Sequence, residues 1–434
     1  MLLAYFSQLA TTTVVRGYGS VVEANGVCVE AEGICCALGD SCEILAHNGR
    51  RYAAEVIGFR GPRVVAMPLD TAQGIRFGDR LIRGTSVAEM QVSEAMLGRV
   101  LRADGAAVDA GAPLPGAQRV PIDRTGPGPM QRVPIRVPLG TGVRAIDTML
   151  TVGRGQRIGL FGGSGVGKST LIGMMTRNTQ ADVTVVGLVG ERGREVREFL
   201  SDSLGEEGMC RSTVIVATSD ESPLMRMRAA LSATATAEHF AEQGRHVLLI
   251  LDSLTRFAMA AREIGLAAGE PPASKGYPPS IFARLAKLLE RAGNFEKGSI
   301  TGLYTVLMEG DDEQDPIVDA ARSFLDGHVV LSRDLASEGM YPPIDVLRSL
   351  SRLAPAVADR AHVEQARKVR RLLAAYARSE DMLRVGAYRP GSDPELDAAI
   401  QHRPRLMELL RQDASERISF QEALQELASL EALR

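Results

Sequence analysis

The chain has 434 residues, 45% hydrophobic and 24% charged, which is enough for two or three domains with ordinary cores. A formal net charge of -3 supplies no global basic field to recruit nucleic acid or an anionic membrane surface. No run of about 18 consecutive apolar residues is present to cross a bilayer. Residues 1–17 also lack a basic segment ahead of their apolar residues, so a cytoplasmic protein is expected.

Residues 1 to about 90 read as short strands. Val14–Ala31 carries β-branched residues punctuated by Gly17, Gly19 and Gly26, and further runs follow at Tyr52–Phe59 and Arg63–Leu69. Turn signals at Gly39-Asp40, Asn48-Gly49 and Gly78-Asp79 separate the runs, which predicts a small antiparallel β-barrel. Cys28, Cys35, Cys36 and Cys42 cluster here, but their spacing matches no paired CxxC zinc pattern, so buried free thiols are expected. The six histidines have no ligand spacing, and none is assigned chemistry.

From about Arg102 to Thr141 the chain is rich in Pro and Gly. Pro113, Pro115, Pro121, Pro127, Pro129, Pro134 and Pro138 exclude a helix interior or a central strand. Val120, Ile122, Val133 and Ile135 alternate with the prolines, which predicts an arm wrapped over the next domain. From about Gly142 to Ser351 unbroken apolar runs alternate with helical stretches. Strands are expected at Arg157–Phe161, Val183–Val189, Thr213–Ala217, Val247–Leu251, Ile300–Leu307 and His328–Leu331, as in a buried, mostly parallel sheet. After about Arg352 the chain turns helical, beginning with Val357–Ala377. The expected division is a barrel over 1–90, an α/β ATPase core over 91–351 and a helical domain over 352–434.

The strongest chemical signal is Gly162-Gly163-Ser164-Gly165-Val166-Gly167-Lys168-Ser169, followed by Thr170. It fits GxxxxGK[ST] between a strand ending at Phe161 and a helix starting near Lys168, the setting of a phosphate-binding loop. The glycines let successive N–H groups face phosphate oxygens, and the helix presents its positive end to the same anion. Lys168 would reach the β- and γ-phosphates, and Ser169 would offer a hydroxyl to Mg²⁺. Asp252 ends the apolar run Val247–Leu251 at the side where ligands bind in open α/β sheets, and it is the second expected Mg²⁺ contact. Hydrolysis also needs a group to orient the attacking water. Glu191 leaves the strand Val183–Val189 in the segment Gly190-Glu191-Arg192-Gly193-Arg194-Glu195 and can reach that place, with Glu195 as its rival.

The segments GGSGVGKS, VGERGREV, LLILDSLTRFAMAA, GEPPASKGYPPSIFARL, TVLMEGDDEQDPI, LDGHVVLSRDLASEGMYPPIDVL and GAYRPGSDPELDAAI together resemble the flagellar protein-export ATPases. That family is similar to injectisome ATPases and to the catalytic β subunits of rotary ATP synthases. The resemblance spans nearly the whole chain. It implies a RecA-like P-loop core between a small β-barrel and a C-terminal helical domain, working as a homohexamer that powers export. It makes Glu191 the water-activating residue and places Arg192 and Arg256 near the phosphates. Arg352, in SLSR, matches the arginine finger offered to a neighbouring subunit, and Tyr341 matches the aromatic that packs on adenine. A second adenine-facing aromatic of the β subunit falls near Gly386 here. The loop Ala273–Ser280 resembles the segment facing a central stalk protein. Other implied partners are a stator at the N-terminal arm Met1–Val15, an export gate and chaperone–cargo complexes, with peripheral association at the inner membrane.

Four other readings compete. An injectisome ATPase has the same chemistry, although GSDPELD and the ERAGN…GSITGLYTVL run lean flagellar. VGERGREV departs from the GERTREG pattern of rotary β subunits. An RNA translocase would need stacking aromatics, yet aromatics make up 4% of the chain and tryptophan is absent. A non-catalytic scaffold would not need Lys168, Glu191, Asp252 and Arg352.

Overall fold

The computed structural model describes residues 17–71, 73–84, 88–109, 111–308 and 314–430. The N-terminal strands close into a six-stranded barrel with Tyr18–Ala24, Val29–Glu32, Arg63–Pro68, Arg51–Arg60, Ser41–Leu45 and Arg80–Arg83 in ring order. Closure removes the exposed edges that a small antiparallel sheet would otherwise present. Val21, Ala31, Ile44, Val56, Val64 and Leu81 fill its interior. Cys28 and Cys42 are buried free thiols as expected, whereas Cys36 is half-buried and Cys35 is exposed.

The wrapping arm is built as its proline alternation suggests, but only in part. Gln118–Pro121 pairs antiparallel with Glu89–Val92, and Val120 and Ile122 join the main core. Val133 remains exposed. Arg291 fixes the arm from beneath. It is 1% exposed, donates to Ile122 O at 2.7 Å and pairs with both oxygens of Glu238 at 2.7 and 2.8 Å.

All six anticipated core strands form, at Arg157–Gly162, Val183–Glu191, Ser212–Thr218, His246–Asp252, Ser299–Leu307 and Gly327–Leu331. They lie parallel in one sheet, with Arg157–Gly162 between Gly327–Leu331 and Ser299–Leu307, and His246–Asp252 between Ser299–Leu307 and Val183–Glu191. Each is buried along nearly its whole length and mostly apolar, because helices cover both faces. Two edge strands complete the sheet. Val100–Arg102 adds in parallel beside Ser212–Thr218, and Ile344–Ser351 adds antiparallel beside Gly327–Leu331.

The C-terminal region is helical, with Arg360–Arg384, Pro394–Leu410 and Phe420–Ser429 as its main helices. Asp359, Asp393 and Ser419 cap their N-termini through side-chain oxygens. Val369, Leu373, Leu406, Leu409 and Leu427 pack this bundle into the same core as Leu171 and Ile172 of the P-loop helix. No helix of the described residues is long and apolar enough to cross a membrane.

Candidate nucleotide site

The strand Arg157–Gly162 delivers the chain to a loop, and the helix Lys168–Asn178 follows at once. Gly165 and Gly167 hold φ of +79° and +89°, a left-handed backbone that residues with a Cβ adopt only at a cost. Phe161, Gly162 and Val166 are buried and anchor the loop, while Ser164, Gly165, Ser169 and Thr170 are exposed. The loop borders a cavity of about 670 Å³ lined by Gly163, Ser164, Gly165, Gly167, Lys168, Ser169 and Thr170. Glu191, Arg192, Asp252 and Arg256 line the same cavity, so most of the anticipated site residues converge from separate strands.

Asp252 sits at the end of its strand and is 5% exposed. Its Oδ1 accepts from Lys168 Nζ at 2.7 Å and from Thr305 Oγ1 at 2.6 Å. The buried carboxylate is thus offset by one cation and oriented by one hydroxyl. Glu191 stands beside it, because Leu188 of the Glu191 strand is in register with Asp252. Burial pushes the Glu191 carboxyl up to about 7, helped by the negative Asp252 and by a hydrogen bond with Glu195, against Lys168 and Arg256. Glu195 lies half-buried in the short helix Gly193–Glu198, and Arg192 forms an open ion pair with it at 3.6 Å.

Arg256 is placed by the helix Leu254–Ala267, whose Ser253 cap accepts the Arg256 N–H at 3.2 Å. The Arg256 Nε is buried and has no hydrogen-bond partner among the described residues. An unpaired guanidinium nitrogen on the wall of a glycine-lined cradle fits an anionic ligand such as a triphosphate. The oxygens of Ser169 and Asp252 are hard donors of the kind Mg²⁺ takes.

Tyr341 and Arg352 do not line this cavity. Tyr341 is 51% exposed, and its Cε1 stands 3.9 Å from the position a Cβ on Gly167 would take. Arg352 follows the edge strand and donates to Arg322 O at 3.2 Å. Ser351 is in register with Gly327, level with Ile158, four residues below Gly162. That separation is about 13 Å along the sheet, beyond the reach of an arginine side chain toward its own phosphate loop. Gly386, where the rotary β subunits carry an aromatic, ends the helix Arg360–Arg384 with φ +68°.

Thr305, Thr255 and Arg333 escaped the sequence reading. Thr305 holds Asp252, Thr255 Oγ1 accepts the Leu307 N–H at 2.9 Å, and Arg333 lines the cavity. The signal for Arg333 was its place two residues past the C-terminal end of a parallel strand, where ligands gather in such sheets.

Residues 142–351 match the model of the ATP synthase alpha/beta family nucleotide-binding domain, and residues 358–429 match the T3SS EscN ATPase C-terminal domain. A flagellum-specific ATP synthase of Pseudomonas aeruginosa is 51% identical over 91% of this chain and 88% of its own. That of Treponema pallidum is 49% identical over 100% of this chain and 97% of its own. The chain belongs to the type III export ATPases. A type 3 secretion system ATPase of Xanthomonas euvesicatoria is 46% identical over 98% of this chain and 96% of its own. Among solved structures, the assembled ATPase EscN of the enteropathogenic E. coli type III secretion system superposes with a TM-score of 0.90 at 40% identity, covering 95% of this chain and 99% of that one. The same ATPase in complex with its central stalk EscO gives 0.87 at 39% identity, with coverage of 95% and 99%. This export ATPase is an ATP-hydrolysing enzyme with a RecA-like core between a β-barrel and a helical domain.

Proposed function

We propose that the chain is the ATPase of a flagellar export apparatus, hydrolysing Mg²⁺-bound ATP at the interfaces of a homohexamer. The observation that carries the catalytic reading is the convergence of Lys168, Glu191, Asp252 and Arg256 on one glycine-cradled cavity. Lys168 and the loop N–H groups hold the phosphates, Ser169 and Asp252 hold the metal, and Glu191 orients the attacking water. Mg²⁺ bound there would neutralise charge on the β- and γ-phosphates. Arg192 and Arg256 face the γ-phosphate region, and Tyr341 takes the adenine.

Arg352 stands too far from its own phosphate loop to contribute there, which supports its action on a neighbour's nucleotide. The relative solved as an assembled ATPase supports a ring of identical subunits. The relative solved with its central stalk supports insertion of a stalk partner against the loop Ala273–Ser280, which exposes Ala273, Ser274 and Lys275 above a buried Tyr277. Three domains, over 1–90, 91–351 and 352–434, follow from the same reading. The stator-binding arm Met1–Val15 lies outside the described residues. Cytoplasmic placement with peripheral attachment to the inner membrane, the export gate and the chaperone–cargo complexes belong to this proposal as well.

The flagellar assignment rests on relatives of 47–51% identity named flagellum-specific ATP synthases in three bacteria. Deletion of the gene tests it. Loss of swimming and of exported filament protein, restored by the wild-type chain and not by Lys168→Ala, is the expected result. A motile deletion strain that fails to secrete effector proteins would move the assignment to an injectisome.

A further inference from the structure

Gln412 lies between two C-terminal helices, far in sequence from the nucleotide cavity, yet it is 2% exposed, and its backbone N–H and both side-chain polar atoms are hydrogen-bonded. Its backbone N–H donates to Tyr341 O at 2.9 Å. Its side-chain oxygen accepts the Arg144 N–H at 2.8 Å, and its Nε2 donates to Gly142 O at 2.9 Å and to Glu416 O at 3.2 Å. Gly142 in turn packs against the end of the P-loop helix so closely that a Cβ there would stand 2.2 Å from Asn178 Cβ. The side-chain amide of Gln412 therefore anchors residue 412 beside Gly142, at the C-terminal end of the P-loop helix, and from that anchored position its backbone N–H holds the Tyr341 carbonyl.

The neighbours make this tie stiff. Arg144 donates to Arg411 O at 2.8 Å and pairs with Glu416 and with Glu426, the latter at 2.7 Å. Tyr341 is itself half exposed. Its place beside Gly167 depends on the backbone beneath it, and Gln412 is the contact that holds that backbone from the helical domain.

We infer that Gln412 is a positioning residue for the base end of the nucleotide site, setting where Tyr341 stands and so how well the enzyme holds adenine. The inference rests on the reading of Tyr341 as the adenine contact. A substitution at Gln412 should weaken binding of the base while sparing the phosphates, which are held by the loop and Lys168. Inorganic tripolyphosphate separates the two, because it carries the phosphates without a base.

The test uses the full-length protein with Gln412→Met, which keeps the volume and the backbone N–H but removes the side-chain amide that anchors it, and with Gln412→Ala. The expected result is a rise in KM for ATP of about tenfold, the size of a lost buried hydrogen bond, with kcat within about twofold of wild type. The inhibition constant of tripolyphosphate should not move. Tyr341→Ala combined with Gln412→Met should be no worse than Tyr341→Ala alone. A wild-type KM in both Gln412 variants, an equal rise for ATP and tripolyphosphate, a fall confined to kcat, or failure of both variants to fold would each overturn the proposal. Tyr341→Ala with an unchanged KM for ATP would instead remove the adenine reading on which it stands.

Discussion

Glu191 and Asp252 leave adjacent parallel strands on the same side of the sheet, and each negative charge raises the cost of the other. Lys168 resolves the conflict unevenly, because its ammonium bonds Asp252 at 2.7 Å. Glu191, which is desolvated, faces the negative Asp252 and is hydrogen-bonded to Glu195, is pushed up to about 7. A carboxyl titrating near the working pH is suited to handle the proton of an attacking water.

The deprotonated form of Glu191 is the active one, so kcat/KM for ATP should rise as pH increases through about 7 and then level off. Steady-state hydrolysis between about pH 5.5 and 9 measures this, and Glu191→Gln should bind ATP but turn over at least about a hundredfold more slowly at every pH. The stability effect has the opposite sense. Glu191 favours the folded state when protonated, so its contribution is full below the ordinary value of 4.5 and is lost as pH rises through about 7. A pH profile with no inflection in that range would remove Glu191 from the catalytic role.

Thr305 is fully buried and orients Asp252 through a 2.6 Å hydrogen bond. Thr305→Val preserves volume and removes that bond, leaving the carboxylate free to turn toward Lys168. A loss of about tenfold in kcat/KM is expected, from a charge-assisted hydrogen bond worth about 1.5–3 kcal/mol. Full activity in Thr305→Val would show that Lys168 alone positions Asp252.

The core strands were legible because burial on both faces favours apolar residues at successive positions, as in Val185–Val189. Ile344–Ser351 did not announce itself, since an antiparallel edge strand buries alternate residues and carries Asp345 and Arg348 on its open side. Val100–Arg102 was hidden for a different reason. Three residues gain strand geometry only by pairing with Ser212–Thr218, more than a hundred positions away. The phosphate loop, Asp252 and Glu191 were readable because their chemistry is tied to strand ends. Thr305 and Gln412 were not, because a lone hydroxyl or amide becomes meaningful only when the fold supplies its partner.

The ion pair beneath the wrapping arm sets a stability prediction. Glu238→Ala would leave Arg291 as a buried cation at 1% exposure, still bonded to Ile122 O. A loss of about 3–5 kcal/mol is expected, read as an earlier midpoint in chemical denaturation. Replacing the pair together, Glu238→Leu with Arg291→Met, should recover most of it, because neither charge is then left unpaired. If Glu238→Ala alone unfolds at the wild-type midpoint, the arm is held by its apolar contacts.

Arg352 decides whether the active site is shared. It lies about 13 Å along the sheet from its own phosphate loop, yet a guanidinium that reaches the γ-phosphate in the transition state can be worth about 10³–10⁵ in rate. A chain carrying the loop at one place and the finger at another can close a head-to-tail ring of identical copies, each completing its neighbour's site. Lys168→Ala should therefore destroy a subunit's own site and leave its finger intact, while Arg352→Ala does the reverse. Each variant alone should be nearly inactive. Mixed in equal amounts, they should regain hydrolysis wherever an Arg352→Ala site faces a Lys168→Ala finger. Native mass spectrometry can confirm that mixed rings form. Mixed rings whose activity never exceeds the sum of the separate variants would show that the finger is another residue. Wild-type specific activity should also rise with protein concentration as rings assemble, and constant activity down to a demonstrated monomer would reject the shared site altogether.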